Sequence, residues 1–485
     1  MAISCTCGHI LYEGARGPGK TIVQLMKFLS YVGKGYGQFW RGVIFDLEFD
    51  HLGGLVAESK KWFKKFDDGA KFLESTSQYK WVWPSGEELL FRHVKKIADY
   101  EGFHGHEYPF IGWNELTKFA NPDLYDKFMS VNRSSFDPVK NTPKGQEPLP
   151  PIPLMVFSTA NPSGPGHNWV KKRFINAAAR GEIVKTDVDI FNPQAQQNET
   201  FTKTQVAIFG SPYENKYLPP GYIAELKSLK DPNLKKAWLE GSWDVAAGGA
   251  IDDVWKSDIH VVPRFVVPAS WRLDRSYDDG SSHPFSVGWW AEADGTEATI
   301  ITKDGEERTF CPQPGSLIQF FEWYGAEAIG TNKGLKLSAS SIAQGIVDRE
   351  TAMLAHGWIH SKPWAGPADN RIRQVIDSDL DTTEKLMSKK GVSWTESDKS
   401  PGSRVIGLQL MRDRLEAAIQ GEGPGLYFMA NCKASIELLP TLPRDPVKHD
   451  DVDTKAEDQA YDMVRYRVLK GSNRAATRLK VVMPV

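Results

Sequence analysis

The sequence predicts an α/β protein of two domains, with a mostly parallel sheet and crossover helices in the first half and a second α/β unit after it. Three observations carry this prediction. The 485 residues exceed what one hydrophobic core organises. Up to about residue 245, short apolar runs alternate with helix-periodic segments, the pattern of a parallel sheet. The small-residue stretch Ala246-Ala247-Gly248-Gly249-Ala250 then suits a hinge, and a fresh set of strand-like runs follows it.

Composition narrows the class. Hydrophobic residues at 41% and charged residues at 25% describe a water-soluble globular chain. A net charge of -2 excludes a chain-wide basic surface, so any contact with nucleic acid is a local patch. Four cysteines are too few for a disulfide framework, and Cys5-Thr6-Cys7 lacks the second pair a structural zinc site needs, so they read as cytosolic thiols. No apolar run reaches about 18 residues and no basic-then-apolar leader opens the chain, which argues against membrane spanning and secretion.

Taken in order, the candidate core strands of the first half are 9–12, 42–45, 89–93, 108–113 and 154–158. Residues 141–153 hold five prolines and read as an exposed loop between two of these strands. Helical spacing returns at 222–239. Val261-Val262-Pro263 and Val266-Val267-Pro268 read as extended connectors. Beyond them, 271–277 and 285–291 read as paired strands, 296–303 as a third, 342–354 as a helix, and 455–469 as a final helix with Tyr461, Val464 and Val468 on one face. The expected domains are 1–245 and 269–470, joined by a linker over 246–268 and followed by a basic tail over 471–485. From Arg465 onward, Arg467, Lys470, Arg474, Arg478 and Lys480 occur with no acidic residue, which fits either a solvated end or a contact for phosphate or an acidic partner.

The strongest chemical signal is Gly14-Ala15-Arg16-Gly17-Pro18-Gly19-Lys20-Thr21, a complete G-x-x-x-x-G-K-[ST] phosphate-binding loop. It falls between a strand and a helix on which Ile22, Leu25, Met26 and Leu29 recur at helical spacing. Backbone N–H groups of Gly14, Ala15, Arg16, Gly17 and Gly19 and the helix start cradle phosphate oxygens. Lys20 reaches the β- and γ-phosphates, and the Thr21 hydroxyl ligates Mg²⁺. Pro18 donates nothing and only shapes the loop. The run Tyr108-Pro109-Phe110-Ile111-Gly112-Trp113 ends in Asn114-Glu115, where a Walker B strand places a metal-holding Asp and a water-activating Glu. Glu115 is the candidate base, its structural alternative being a carboxylate on a helix N-terminus. Asn114 offers an amide oxygen to metal-bound water but no charge. Thr159 and Asn161, ending the next strand, sit where small polar groups feel the γ-phosphate, although Asn161-Pro162 is also a common turn start. Arg16 either pairs with the γ-phosphate or staples the loop through a salt bridge.

These residues, with Gly105-His106-Glu107-Tyr108, Trp113-Asn114-Glu115-Leu116, Ser158-Thr159-Ala160-Asn161-Pro162, Gly166-His167-Asn168-Trp169-Val170-Lys171, Asp278-Asp279-Gly280-Ser281 with Pro284-Phe285, and Glu457-Asp458-Gln459-Ala460-Tyr461-Asp462 with Arg465-Tyr466, resemble the large terminase subunit of tailed double-stranded DNA bacteriophages. The resemblance spans nearly the whole chain. It departs at Asn114, where family members usually carry Asp, and upstream of Gly14, where they usually have a longer segment with an adenine-contacting glutamine and only thirteen residues precede the loop here. Adenine recognition is therefore unassigned.

The resemblance implies a P-loop ATPase of RecA/ASCE type followed by an RNase H-like nuclease. Its first metal ligand matches Asp278 at a strand end, with Asp274 on the same strand face as a decoy; Asp369 in Gly366-Pro367-Ala368-Asp369 matches the second ligand and Asp458 the third. Asp462, one helical turn on, can ligate directly or through water. Asp377, Asp379 and Asp381 read as a solvated acidic turn. His449-Asp450-Asp451 is an alternative third site that the helix frame disfavours. Implied cofactors are ATP with Mg²⁺, and two Mg²⁺ or Mn²⁺ for cutting. Implied partners are double-stranded DNA, the portal of an empty capsid, a small terminase subunit and a ring of five copies assembled on the portal, monomeric in solution, in the host cytoplasm and with no membrane. A helicase or repair ATPase with a nuclease domain, and a nucleotide-gated DNA-binding scaffold, are the alternative readings.

Overall fold

The strand that leads into the phosphate-binding loop, β1 (His9–Gly14), is buried on both faces and lies inside a nine-stranded sheet. The computed structural model describes residues 1–479 apart from 76–77, 143–146, 193–195, 231, 245–248, 303–304, 376–380 and 446; for 232 and 471–479 it describes the backbone alone. Two compact units divide the chain, Met1–Ala247 and Gly248–Val485.

In the first unit, β1 is followed by β2 (Arg41–Asp46), β3 (Lys71–Leu73), β4 (Lys80–Val82), β5 (Glu88–His93), β6 (Phe110–Trp113), β7 (Met155–Thr159), β8 (Ile183–Asn192) and β9 (Gln197–Gly210). Their order is β3-β4-β5-β2-β6-β7-β1-β9-β8, and the run from β5 to β9 is parallel throughout. A parallel sheet is covered on both faces, and the side chains show it. Ile10, Ile44 and Phe157 enter one core, while Leu11, Val43, Phe45 and Val156 enter the other.

All five strands expected here are present. The β8–β9 hairpin was not expected. Much of it is exposed, so its Thr-, Lys- and Asp-rich sequence lacks an apolar period. The helix expected over 222–239 is interrupted, with Pro220–Ser228 separate from a second piece that begins at Pro232, because proline cannot continue a helix ladder.

In the second unit the strands are β10 (Val261–Val262), β11 (Arg272–Asp278), β12 (Ser286–Glu292), β13 (Ala298–Ile301), β14 (Glu307–Phe310), β15 (Leu317–Tyr324), β16 (Pro367–Ala368), β17 (Thr395–Glu396) and β18 (Leu426–Met429). Seven form a mixed sheet in the order β10-β18-β15-β12-β11-β16-β17. Its middle, β15-β12-β11, is antiparallel and the flanking pairs are parallel. The strand expected over 296–303 is β13, but among the described residues it pairs only with β14, and β15 takes the third antiparallel place. Val261–Val262, expected as a connector, instead pairs with β18, and Phe265 and Val267 join the core.

The final helix begins at Gln459 rather than 455. The preceding turn is held otherwise: Asp453 accepts the Lys455 N–H at 2.9 Å, and buried Glu457 accepts the N–H groups of Gly330 and Asn332 and the Tyr324 hydroxyl. The basic run from Arg465 is no solvated end at its start. Arg465 pairs with Asp462, and Arg467 with Asp274 and Glu292, all within the fold. The side chains of Arg474, Arg478 and Lys480, residues 246–248 of the expected hinge, and Asp377 and Asp379 lie outside the described residues; Asp381 pairs with Lys389. The four cysteines are free thiols, and among the described residues no helix is long and apolar enough to cross a membrane.

Candidate active sites

In the first unit the loop after β1 needs glycine. Gly14 sits at φ +118°, and a Cβ there would lie 2.6 Å from the Phe209 ring and 2.8 Å from the Gly210 carbonyl. Gly19, left-handed at φ +85°, starts the helix Lys20–Leu29. Lys20 is buried, and its ammonium donates to the carbonyls of Ala15 at 2.6 Å and Gly14 at 3.4 Å and to Asn161 Oδ1 at 2.8 Å. Burial draws it down to about 8, against the opposing carboxylates of Glu115 and Glu13. Asn161 Nδ2 donates to Glu115 Oε2 at 2.8 Å, and the Glu115 N–H donates to Thr159 Oγ1 at 2.9 Å. Lys20, Asn161 and Glu115 thus form one chain from the phosphate loop to the end of β6. Glu115 holds φ +55°, a strained conformation for a side-chain-bearing residue and one common at functional sites. A cavity of about 530 Å³ opens here, bordered by residues 16–22, Glu115 and Asn161.

Arg16 and Asn114 have partners that the sequence did not show. Arg16 is exposed, and its guanidinium lies 3.5 Å from the centre of the Trp238 ring while its N–H donates to the Trp238 carbonyl at 2.8 Å. The loop is stapled by cation–π stacking, not by an ion pair. Asn114 turns its amide nitrogen to Asp46 Oδ2 at 2.7 Å, leaving Oδ1 buried without a protein partner. Asp46 ends β2, is fully buried, and also takes the Lys118 ammonium at 2.9 Å. The sequence signal for Asp46 was present: like Asn114, it ends an apolar strand of the same parallel sheet. The Gly166-to-Lys171 stretch is structural in its contacts. His167 Nε2 meets the Trp243 carbonyl at 3.0 Å, and Lys171 pairs with Asp244 at 2.9 Å.

In the second unit Asp278 ends β11. Asp369 is delivered beside it because β16 runs parallel to β11, with Tyr277 opposite Ala368 and the Asp369 N–H on the Tyr277 carbonyl at 2.9 Å. That approach requires Gly366, where a Cβ would lie 1.7 Å from the Arg275 carbonyl. Tyr466 reaches both carboxylates, with its hydroxyl 3.2 Å from Asp278 Oδ1 and 3.4 Å from Asp369 Oδ2. Burial, then the carboxylates of Asp462, Asp369 and Asp458, push Asp278 well above the usual carboxylate range. Burial and Asp462 push Asp458 up to about 8. Burial also acts on Asp369, but the Arg371 N–H, Lys399 and the Arg371 guanidinium outweigh it and hold this carboxyl low.

Asp278, Asp458 and Asp462 border a cavity of about 630 Å³ that also has Asp279, His283 and Arg371 on its wall. Among the described residues no three His, Cys, Asp or Glu side chains close into a ligating group. Arg404 explains part of the spacing, contacting Asp462 at 3.3 Å, Asp458 at 3.7 Å and Asp451 at 3.1 Å. Asp451, from the alternative His449-Asp450-Asp451 site, therefore lies on the far side of an arginine. The decoy Asp274 is taken by Arg467 at 2.6 Å and Lys470 at 3.4 Å. The donor set, oxygen throughout and rich in buried negative charge, fits hard divalent cations. Arg404, Arg371 and Lys399 carried no motif and escaped sequence reasoning.

A family model described as terminase large subunit, T4likevirus-type, N-terminal, matches residues 11–256. Among solved structures, the large terminase of a thermophilic bacteriophage in complex with ADP is 15% identical, with a TM-score of 0.35 over 96% of this chain and 94% of that one. The HK97 bacteriophage large terminase is 11% identical, with a TM-score of 0.40 over 96% and 91%. The P22 large terminase nuclease domain is 14% identical, with a TM-score of 0.30 over 45% of this chain and 90% of that one. No curated protein sequence matches the chain. With the family model matching just over half its length, the chain belongs to the terminase large subunits.

Proposed function

We propose that the chain is a DNA-packaging motor in which ATP hydrolysis by residues 1–245 drives double-stranded DNA into an empty capsid and residues 269–470 cut the concatemer. The observation that carries the motor half is the Lys20–Asn161–Glu115 chain lining one cavity with the phosphate loop. Loop N–H groups hold the phosphates, and Lys20 exchanges its carbonyl partners for β- and γ-oxygens. Glu115 orients the attacking water and accepts its proton. Asn161, bonded to both, ties the position of Glu115 to that of Lys20, so occupancy of the γ-phosphate place is felt at the base. Thr21 and the unpartnered Asn114 Oδ1 are the groups to hold Mg²⁺, which when bound neutralises charge on the phosphates.

In the second unit Asp278, Asp369 and Asp458, with Asp462, are the groups to hold two Mg²⁺ or Mn²⁺, whose chemistry is water activation and leaving-group stabilisation. Tyr466 orients Asp278 and Asp369 toward one another, and Arg404 positions Asp458 and Asp462. DNA contact is chiefly to phosphates and weakens as salt rises. Assembly as a five-membered ring on the portal, DNA choice by a small terminase subunit, and action in the host cytoplasm belong to the same reading.

Phosphate release by the purified chain with duplex DNA tests the motor half. Lys20→Ala and Glu115→Gln are each expected to lower it ~100-fold or more. Release at the wild-type rate in both variants contradicts it.

A further inference from the structure

We propose that the nucleotide's purine base is recognised by Tyr217 and Tyr222, on the β9 side of the phosphate loop. The inference rests on the reading of that loop as a triphosphate site and adds to it the residues that meet the base. The sheet order gives the direction. β1 lies between β7 and β9, and the groups suited to the γ-phosphate, Asn161 and Glu115, follow β7 and β6. The triphosphate's γ end therefore faces the β7 flank, and the nucleoside extends the other way, over the end of β9. The remaining cavity wall, with Glu58, Lys61 and Trp62, comes from the helix Leu52–Phe63 that follows β2, beyond β6, and so borders the γ end.

The segment after β9 is tied to the loop. Asn215 Nδ2 donates to the Gly17 carbonyl at 2.7 Å, while Asn215 Oδ1 accepts the Tyr217 N–H at 3.1 Å. One amide thus fixes the backbone of Tyr217 against the phosphate loop. Tyr222 lies in the first turn of Pro220–Ser228, with its ring edge 3.1 Å from where a Gly17 Cβ would stand. Both tyrosines border the cavity, yet Tyr217 is 93% exposed and Tyr222 38%. Two aromatic faces left open beside a triphosphate site suit a purine ring, since stacking requires a π-face on each partner.

The full-length chain is titrated by calorimetry, in Mg²⁺, with the slowly hydrolysed ATP-γ-S and with inorganic tripolyphosphate, which shares the phosphates but has no base. The wild type is expected to prefer ATP-γ-S by ~10-fold or more, from stacking alone. In Tyr217→Ala the preference narrows, and in Tyr217→Ala with Tyr222→Ala it falls to ~2-fold or less, with tripolyphosphate affinity unchanged and Phe at both positions restoring the gap. A gap that survives both alanines overturns the proposal, as does an equal loss of both ligands, which would make the tyrosines mere supports of the loop. Lys20→Ala separates the underlying reading: it should weaken both ligands, and if it weakens neither, the triphosphate site fails and this proposal with it.

Discussion

Asn114 stands where a charged metal-holding residue is usual in the family, and the structure gives the substitution a local logic. Its amide nitrogen is 2.7 Å from Asp46, a fully buried carboxylate already paired with Lys118. An Asp at 114 would set two carboxylates against each other in the interior, where like charges disfavour ionisation. Asn114→Asp is therefore expected to destabilise the protein by about 2 kcal/mol, and adding Asp46→Asn to restore most of it, as chemical denaturation of the four members of the cycle would read. Additive losses would mean that the two side chains are uncoupled. At this scale the glycines, Lys20 and Glu115 were legible because their chemistry fixes spacing within one short segment. Asp46 carried the signal of a strand end, but its bond with Asn114, like the contacts of Arg404 and Tyr466, joins distant segments, and spacing along the chain carries no trace of such partnerships. Arg16 illustrates the limit: the partner with which it staples the loop is no carboxylate but the ring of Trp238, more than two hundred positions away.

Among the elements, β16 is only two residues long, yet it sets the geometry of the proposed nuclease site by laying Asp369 beside Asp278. Gly366 permits this, so Gly366→Ala is expected to cost about 3 kcal/mol in the second unit and to abolish Mn²⁺-dependent plasmid cleavage while phosphate release persists. Intact cleavage in a folded variant would show that Asp369 is dispensable. The strands of the parallel sheet were readable because burial on both faces makes each a near-continuous apolar run. The β8–β9 hairpin and the interrupted helix after Pro220 were not, since an exposed ribbon carries no such run and one proline reset a pattern that otherwise looked helical.

Two buried histidines set a pH response for the first unit. Burial, then Arg173 and Lys203, hold His9 down to about 4, and burial with Lys171 does the same for His167. A folded histidine that resists its proton binds fewer protons than the unfolded chain between about 4 and 6.5. Its stabilisation is therefore present above 6.5 and is lost as pH falls through that window, on the order of 3 kcal/mol for each. His167→Gln should flatten the decline in melting temperature between pH 7 and 5 relative to the wild type. An unchanged slope would mean that His167 takes up its proton as readily in the fold as in the unfolded chain.

The proposed motor joins two chemistries in one chain, each within its own unit: a phosphate loop linked through Lys20 and Asn161 to Glu115, and a cavity bordered by Asp278, Asp458 and Asp462 with Asp369 beside Asp278. The two-domain α/β plan was visible in the alternation of apolar runs, although the extended stretch after residue 260 proved to be sheet and core of the second unit, not a free connector. The most direct measurement assays phosphate release with DNA and Mn²⁺-dependent plasmid cleavage side by side for the wild type, Lys20→Ala and Asp278→Ala. Lys20→Ala is expected to lose phosphate release and keep cleavage, and Asp278→Ala to do the reverse. Wild-type phosphate release from Lys20→Ala, or wild-type cleavage by Asp278→Ala, would contradict this expectation.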